Sequence, residues 1–403
     1  MNAPERIVII GGGQAAGWAA KTLRDLGYAN HLSVVADEPH DFYERPALSK
    51  DVLAGKQEPE SLRLFSADVT SILNIDWHRP QRATKIDRTT RQVHLDNGDL
   101  LSYDRLLMAT GSRPRLPDPA WAQIGGVVLL RNIDDALSLR ERLASCRQLA
   151  VIGGGWIGLE VTASALSMGI SATVYERAPR LCGRSVGPEV ADQLATLHRA
   201  HGAGLRLACG DLALSSNPQG GARIASSAGE ETYDTVLVGA GAQLNVELAQ
   251  DAGLTIGGGG IVVDGTGRSS DPHIFAAGDV ATHPVHGICV QSWANAQNQG
   301  AAAARGMLGL DVNYDDEPWL WSDQYGVNIQ ILGVYTSGSS CIHRLGGVGM
   351  DVYFYLDPQQ RLQHMVSFGD PRAIKLGRRW MATDRQLDPM NLADPSFDLM
   401  SLR

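Results

Sequence analysis

No two cysteines in this chain stand close enough in sequence to form a CxxC or CxxxxC pair. The five are Cys146, Cys182, Cys209, Cys289 and Cys341. That spacing argues against a disulfide framework, a zinc site and a dithiol redox centre, and it predicts a reducing compartment, the cytoplasm. No stretch approaches the ~20 apolar residues of a membrane span. The opening MNAPERIVII has no basic leader ahead of an apolar core, so no signal peptide is expected. Low-complexity tracts and short-period repeats are missing as well. Nor is there an excess of positive charge. A formal net charge of -9 over 403 residues argues against binding nucleic acid or anionic lipid, though a local basic patch is still able to dock an acidic partner.

What is present is ordinary in bulk and specific in detail. Hydrophobic residues make up 44% and charged residues 20%, the composition of a globular protein, and the length suggests two to three domains. Residues 6–10 read RIVII, a nearly all-apolar run that suits a parallel strand buried on both faces. GGGQAAG follows at 11–17, then a helical period to Leu26 that stops at Gly27. A second strand, HLSVVA at 31–36, ends in Asp37 and Glu38. Strand, glycine turn, helix, strand and acidic residue together make a dinucleotide-binding unit. In that pattern Gly11 allows the tight turn, Gly13 lets a pyrophosphate approach the backbone, and Ala16 is small where helix meets strand. The phosphates are expected at the helix N-terminus, where free N–H groups and the dipole favour negative charge.

The pattern returns about 140 residues later as LAVIGGGWIGLE at 149–160, with Gly153, Gly155 and Gly158 in register and Glu176 ending the next strand. Two copies imply either two bound nucleotides or one internal duplication with a dead copy. A carboxylate such as Glu176 accepts hydrogen bonds from free ribose hydroxyls and repels a 2′-phosphate, which predicts NADH over NADPH. Nearby Arg177 and Arg184 soften that preference. A third marker, DPHIFAAGD at 271–279, runs a short strand into Gly278 and Asp279. Asp279 reads either as a ligand carboxylate at a strand end or as the N-cap of a following helix.

With these motifs in place the chain resembles the FAD-dependent ferredoxin reductases of aromatic-ring dioxygenase and bacterial P450 systems, within the wider two-dinucleotide disulfide-reductase structural class. The resemblance spans nearly the whole chain. It rests on GGGQAAG (11–17), YERPALSK (43–50), LLMATGSRPR (106–115), LRNIDDA (130–136), GGGWIGLE (153–160), FAAGDV (275–280), SWANAQNQG (292–300) and PWLWSDQ (318–324). It implies an α/β fold of two Rossmann-like dinucleotide-binding domains, glutathione-reductase-like, plus a small C-terminal α+β domain. The discontinuous FAD domain would cover 1–110 and 242–320, the NAD domain 111–241 and the C-terminal domain 321–403.

The resemblance also distributes the site. Gly11, Gly13, Ala15, Ala16, Asp37, Arg45, Lys50, Ala83, Ala109, Gly111, Arg131, Gly278, Asp279 and Trp293 are expected at FAD. Gly153, Gly155, Ile157, Gly158, Glu160, Glu176, Arg184 and Gly241 are expected at NADH. Lys50 and Glu160 are expected to act together: a lysine beside the flavin favours negative charge on the reduced ring, and the carboxylate orients and neutralises it. Apart from the motifs, Arg45 and Arg131 read as surface ion pairs, Trp293 as packing and Glu160 as a solvated helix residue.

The acceptor decides the function. Disulfide reductases of this class carry a cysteine pair in the helix after the first glycine turn, and its peroxidases and oxidases carry a single cysteine near the YERPALSK position. This chain has no cysteine before Cys146, so the electrons are expected to leave one at a time to an external protein. The resemblance implies a [2Fe-2S] ferredoxin, often Rieske-type, that feeds an aromatic-ring dioxygenase. Reduction of rubredoxin or of a P450 ferredoxin, an NADH oxidase, and a dinucleotide-binding protein that only senses redox state stay open. Trp293, Trp319 and Trp321 read either as core or as a docking surface. Arg372, Lys375, Arg378 and Arg379 read either as a solvated helix face or as a patch that steers an acidic ferredoxin. A monomer or weak homodimer is expected, with no metal held by the chain itself.

Overall fold

The computed structural model describes residues 4–346 and 350–402; the first three residues of the opening MNAPERIVII, where no signal peptide is expected, lie outside them. The chain divides into two compact units. One comprises residues 1–44, 59–113 and 243–318, and the other residues 45–58, 114–242 and 319–403.

The first unit is built on a five-stranded sheet in the order Ile274–Ala276, Arg105–Met108, Arg6–Ile10, His31–Val35, Asp76–His78. Every pairing in it is parallel. The apolar run at its centre is buried on both faces. Ile7 and Ile9 join Leu32, Val34, Leu107 and Phe275 in one core, while Val8 and Ile10 join Val35, Leu106, Met108 and Ile274 in another. Two alanine-rich helices, Gln14–Asp25 and Trp293–Met307, cross on the first face. Their close approach is set by small residues: a Cβ at Gly300 would lie 2.4 Å from the Ala15 carbonyl oxygen. A three-stranded antiparallel sheet, Ala83–Asp87, Gln92–Leu95 and Leu100–Ser102, belongs to the same unit.

The second unit repeats the plan. Its parallel sheet runs Gly204–Leu207, Ser171–Glu176, Gln148–Ile152, Thr235–Val238, Val127–Val128, with helix Trp156–Ser167 after the glycine turn. The C-terminal segment adds a five-stranded antiparallel sheet in the order Trp319–Gln324, Val327–Gly333, Leu362–Phe368, Asp351–Leu356, Ser340–Leu345. Helix Pro371–Ala382 closes one side of it around Phe354, Met365 and Trp380. From the other side Ile329, Ile331, Tyr353, Tyr355 and Val366 enter one apolar cluster with Leu159, Val190 and Leu194 of the parallel-sheet layer. The C-terminal sheet therefore has a core of its own and shares a second with the layer beneath it. Segment 45–58, which carries Lys50, clusters in this unit as well. No helix among the described residues is long and apolar enough to cross a membrane.

Candidate functional site

In the first unit the turn after strand Arg6–Ile10 leads into an open helix end. Gly11 sits at φ +120°, and a Cβ there would lie 2.1 Å from the Ala109 carbonyl oxygen, so no other residue fits this turn. Gly13 is the N-cap of helix Gln14–Asp25 and provides no side-chain cap, the first turn has no acidic residue, and nothing lies within 4 Å of a Cβ built at Gly13. Free helix N–H groups facing open space suit a pyrophosphate. Ala15 and Ala16 are buried behind them. Asp37, beyond the end of strand His31–Val35, is exposed and pairs with Arg82 at 3.2 Å. Ala83 opens the antiparallel sheet opposite Leu95.

Asp279 does not cap a helix. It lies in the short turn Gly278–Val280 and accepts from Ser112 Oγ at 2.7 Å, while helix Trp293–Met307 is capped by Ser292. The Gly278 N–H donates to Gln299 Oε1 at 2.9 Å. Gly111, at φ +63°, is tied to Asn245. Trp293 is half-buried and held in place: in the Gln14 amide orientation that satisfies both indoles, its Nε1 donates at 3.1 Å and Trp18 Nε1 donates at 3.2 Å. Trp293 also donates to Glu44, whose carboxyl burial pushes up. Glu44 was not singled out from the sequence, although it lies inside the YERPALSK motif.

The second unit carries the same turn. Gly153 sits at φ +112° with a Cβ position 2.4 Å from the Gly239 carbonyl oxygen, and a Cβ at Gly158 would lie 2.3 Å from the Gly153 oxygen. Gly155 caps helix Trp156–Ser167 without a side chain, and its Cβ position is open. Ile157 is 48% exposed in the first turn. Glu176 is locked in place, accepting from Gly154 N and from Ala178 N, each at 2.7 Å. Arg184 is exposed, and its guanidinium lies 3.4 Å from a Cβ position at Gly241. The Cys182 thiol is held above its ordinary range by burial, with Glu176 and Glu160 adding to the effect. It therefore stays protonated and is a poor nucleophile.

The same unit brings Lys50 and Glu160 together. Lys50 follows the short helical turn Pro46–Ser49, and Glu160 lies on helix Trp156–Ser167. Their Nζ and Oε1 are 3.2 Å apart, with side-chain exposures of 16% and 4%. Glu160 also accepts from Ser49 Oγ and, at 2.7 Å, from Ser322 Oγ. A buried carboxylate with this many donors is held in a fixed orientation. Reading Glu160 as a solvated helix residue is thereby excluded. The sequence singled out neither serine, although both lie inside the quoted motifs YERPALSK and PWLWSDQ.

The remaining expected residues fall as follows. Arg45 donates from Nη1 to the Arg131 carbonyl at 2.8 Å, and Arg131 N is held by Asp135 at 2.8 Å in the capping box that starts helix Ile133–Leu143. Arg45, Lys50 and Arg131 thus belong to the second unit. Trp319 and Trp321 are half-buried and stacked, with ring centroids 5.3 Å apart, and Arg378 lies over the Trp319 ring at 4.8 Å. Arg372, Lys375, Arg378 and Arg379 are all exposed on helix Pro371–Ala382. No group of three or more possible metal ligands occurs among the described residues.

Comparison with known proteins bears on the whole chain. The pyridine nucleotide-disulphide oxidoreductase pattern matches residues 5–300 and the reductase C-terminal pattern matches residues 319–403. The chain is 38% identical over 401 residues to the ferredoxin–NAD(+) reductase component of the anthranilate 1,2-dioxygenase system of Burkholderia cepacia, covering 97% of this chain and 98% of that one. It is 35% identical over 399 residues to rhodocoxin reductase of Rhodococcus erythropolis, covering 98% and 93%. Among solved structures, the putidaredoxin reductase–putidaredoxin covalent complex aligns with a TM-score of 0.93 at 31% identity, over 100% of this chain and 98% of that one. The ferredoxin reductase for the CYP199A2 system from Rhodopseudomonas palustris aligns with a TM-score of 0.92 at 32% identity, over 99% of each.

Proposed function

Because the chain belongs to the pyridine nucleotide-disulphide oxidoreductase family and ends in a reductase C-terminal domain, we propose that it is an FAD-dependent NADH:ferredoxin oxidoreductase. Its electron acceptor is a [2Fe-2S] ferredoxin, of Rieske type, that supplies an aromatic-ring dioxygenase. The observation that carries this reading is a pair of open, side-chain-free helix N-termini, one in each unit, on a chain with no cysteine before Cys146. Bound FAD supplies the step from two-electron to one-electron chemistry, which no side chain here provides.

The chain's own residues bind, orient and neutralise. In this reading the FAD domain is 1–110 with 242–320, the NAD domain 111–241, and the C-terminal domain 321–403. The cradle at Gly11 and Gly13 takes the FAD pyrophosphate, Asp37 the adenosine ribose, and Asp279 the ribityl and pyrophosphate region. The cradle at Gly153 and Gly155 takes NADH, and Glu176 selects it by accepting from its ribose hydroxyls. Lys50, held by Glu160, would supply a positive charge favourable to a flavin that gains negative charge on reduction. The stacked Trp319 and Trp321, with Arg372, Lys375, Arg378 and Arg379, form the surface for an acidic ferredoxin. The protein works in the cytoplasm as a monomer or weak homodimer.

The test is direct. NADH added anaerobically bleaches the yellow flavin within seconds, and cytochrome c reduction then depends on added [2Fe-2S] ferredoxin. A flavin that NADH leaves yellow overturns the enzyme. Rapid NADH consumption with oxygen alone, unstimulated by any ferredoxin, replaces the acceptor with oxygen.

A further inference from the structure

The second unit contains a buried polar chain that the Lys50 and Glu160 pair does not by itself require. Strand Trp319–Gln324 alternates, so Ser322 and Gln324 point to one face, where they are 0% and 1% exposed. Ser322 Oγ donates to Glu160 Oε1 at 2.7 Å. Gln324 Nε2 donates to Ser322 Oγ at 3.0 Å. Gln324 Oε1 meets His198 Nε2 at 2.8 Å, and His198 Nδ1 meets the Tyr325 hydroxyl at 2.9 Å. His198 lies on helix Pro188–Ala200 and is fully buried.

With the imidazole neutral, one assignment of protons satisfies every link. An amide oxygen only accepts, so His198 Nε2 carries the hydrogen. Nδ1 is then the bare nitrogen and accepts from Tyr325, a phenol whose ionisation burial opposes. The imidazole is neutral in this arrangement, and burial pushes its pKa down to about 4. Every donor in the chain therefore points the same way, from Tyr325 toward the Glu160 carboxylate. Aligned hydrogen bonds polarise one another, so the last one is stronger than it would be alone.

We propose that His198 is a positioning residue for the Lys50 and Glu160 pair: its Nε2–H fixes the Gln324 amide, and so the direction in which Ser322 donates. Without that N–H, the Gln324 oxygen is left unpaired in a buried site and the amide turns over to find a donor. Ser322 then gives its hydrogen to Gln324, and Glu160 loses a bond that stabilises its charge. The C-terminal sheet thus takes part in the site by setting the orientation of a residue on the glycine-turn helix. This inference rests on the role proposed above for Lys50 and Glu160.

The groups that bear on Glu160 are Lys50 and Ser49 from segment 45–58, Ser322 from the C-terminal sheet, and the protonated Cys182 thiol. Those facing His198 are Tyr325, Gln324 and, one turn along the helix, His201, which stacks on Tyr325 with ring centroids 3.9 Å apart. Gln324 carries no charge, so the chain acts by hydrogen-bond direction and carries no proton.

The experiment is infrared difference spectroscopy of the FAD-loaded protein at neutral pH, with NADH-dependent flavin reduction measured alongside. The carboxylate band that Glu160→Gln abolishes reports the hydrogen bonds that Glu160 accepts. His198→Leu and Gln324→Leu move that band toward the position it takes in Ser322→Ala, which removes the Ser322 donor outright and is a smaller change to the core, and flavin reduction slows severalfold in all three. His198→Gln, which keeps an N–H near Nε2, restores the wild-type band and rate. Thermal melting at neutral pH confirms that each variant is folded. If Glu160→Gln removes the band but His198→Leu, Gln324→Leu and Ser322→Ala leave it in place, the positioning role is wrong and the pair stands. If Glu160→Gln and Lys50→Met leave the rate of flavin reduction unchanged, the role of the pair falls; a band that still moves then preserves the structural relay alone.

Discussion

Gly155→Ala separates what the second glycine turn does for folding from what it does for a ligand. Gly155 sits at φ -87°, ψ 177°, extended backbone that alanine adopts freely, and nothing lies within 4 Å of the added methyl. Removing glycine's freedom from the unfolded chain stabilises by about 0.4–1 kcal/mol. Alanine is a poorer N-cap than glycine, which takes back a similar ~0.5–1 kcal/mol. The net effect on the nucleotide-free fold is within about 1 kcal/mol of zero. Gly153→Ala is the contrast: its φ of +112° and an overlap at 2.4 Å with the Gly239 oxygen cost about 1–3 kcal/mol in backbone strain before any displacement of the strand end. The Gly155 methyl occupies the space in which a pyrophosphate approaches the helix N-terminus. NADH is therefore expected to bind at least tenfold more weakly, about 1.4 kcal/mol. Thermal melting of the nucleotide-free protein and stopped-flow flavin reduction against NADH concentration read the two quantities separately, with FAD content unchanged. A variant whose NADH dependence matches the wild type would refute the reading of this turn as a phosphate cradle.

Glu176→Ala frees the Gly154 and Ala178 N–H groups and removes a charge that repels a 2′-phosphate. The ratio of kcat/KM for NADPH to that for NADH should rise by about tenfold or more, and an unchanged ratio would move selectivity elsewhere. Burial holds His198 and His364 neutral, with pKa values pushed down to about 4, whereas the unfolded chain takes up protons below about pH 6.5. Their contribution is therefore complete above pH 6.5 and is lost as the pH falls toward 4, on the order of 3 kcal/mol each. Denaturant midpoints measured between pH 7 and pH 4 should fall more steeply for the wild type than for His198→Gln, and parallel curves would contradict this. Trp321→Ala should raise KM for the ferredoxin severalfold while leaving bleaching by NADH intact. Arg379→Glu should do the same and flatten the salt dependence of the reaction; a KM unmoved in both would place the docking surface elsewhere.

The sequence by itself determined the repeated unit. A buried strand reads as an unbroken apolar run because both faces of a parallel sheet are covered, and Gly11 and Gly153 are forced by a backbone that admits no Cβ. Both constraints are local, so RIVII and LAVIGGG announced their folds and the open helix ends that follow them. The absence of an early cysteine was equally plain, and it turned the chemistry outward. Where residues from distant segments meet was a different matter. Whether Asp279 capped a helix or faced Ser112, and whether Glu160 was solvated or buried, depended on packing that no period or spacing encodes. Ser49 and Ser322 reach Glu160 from separate segments of the second unit, and Gln324 and then His198 follow behind Ser322. A serine in a strand or a histidine in a helix has no sequence signature for a partner more than a hundred residues away. Their hydrogen bonds exist because burial of the two flanking surfaces leaves each polar group no partner but the others, and only the folded chain decides which they are.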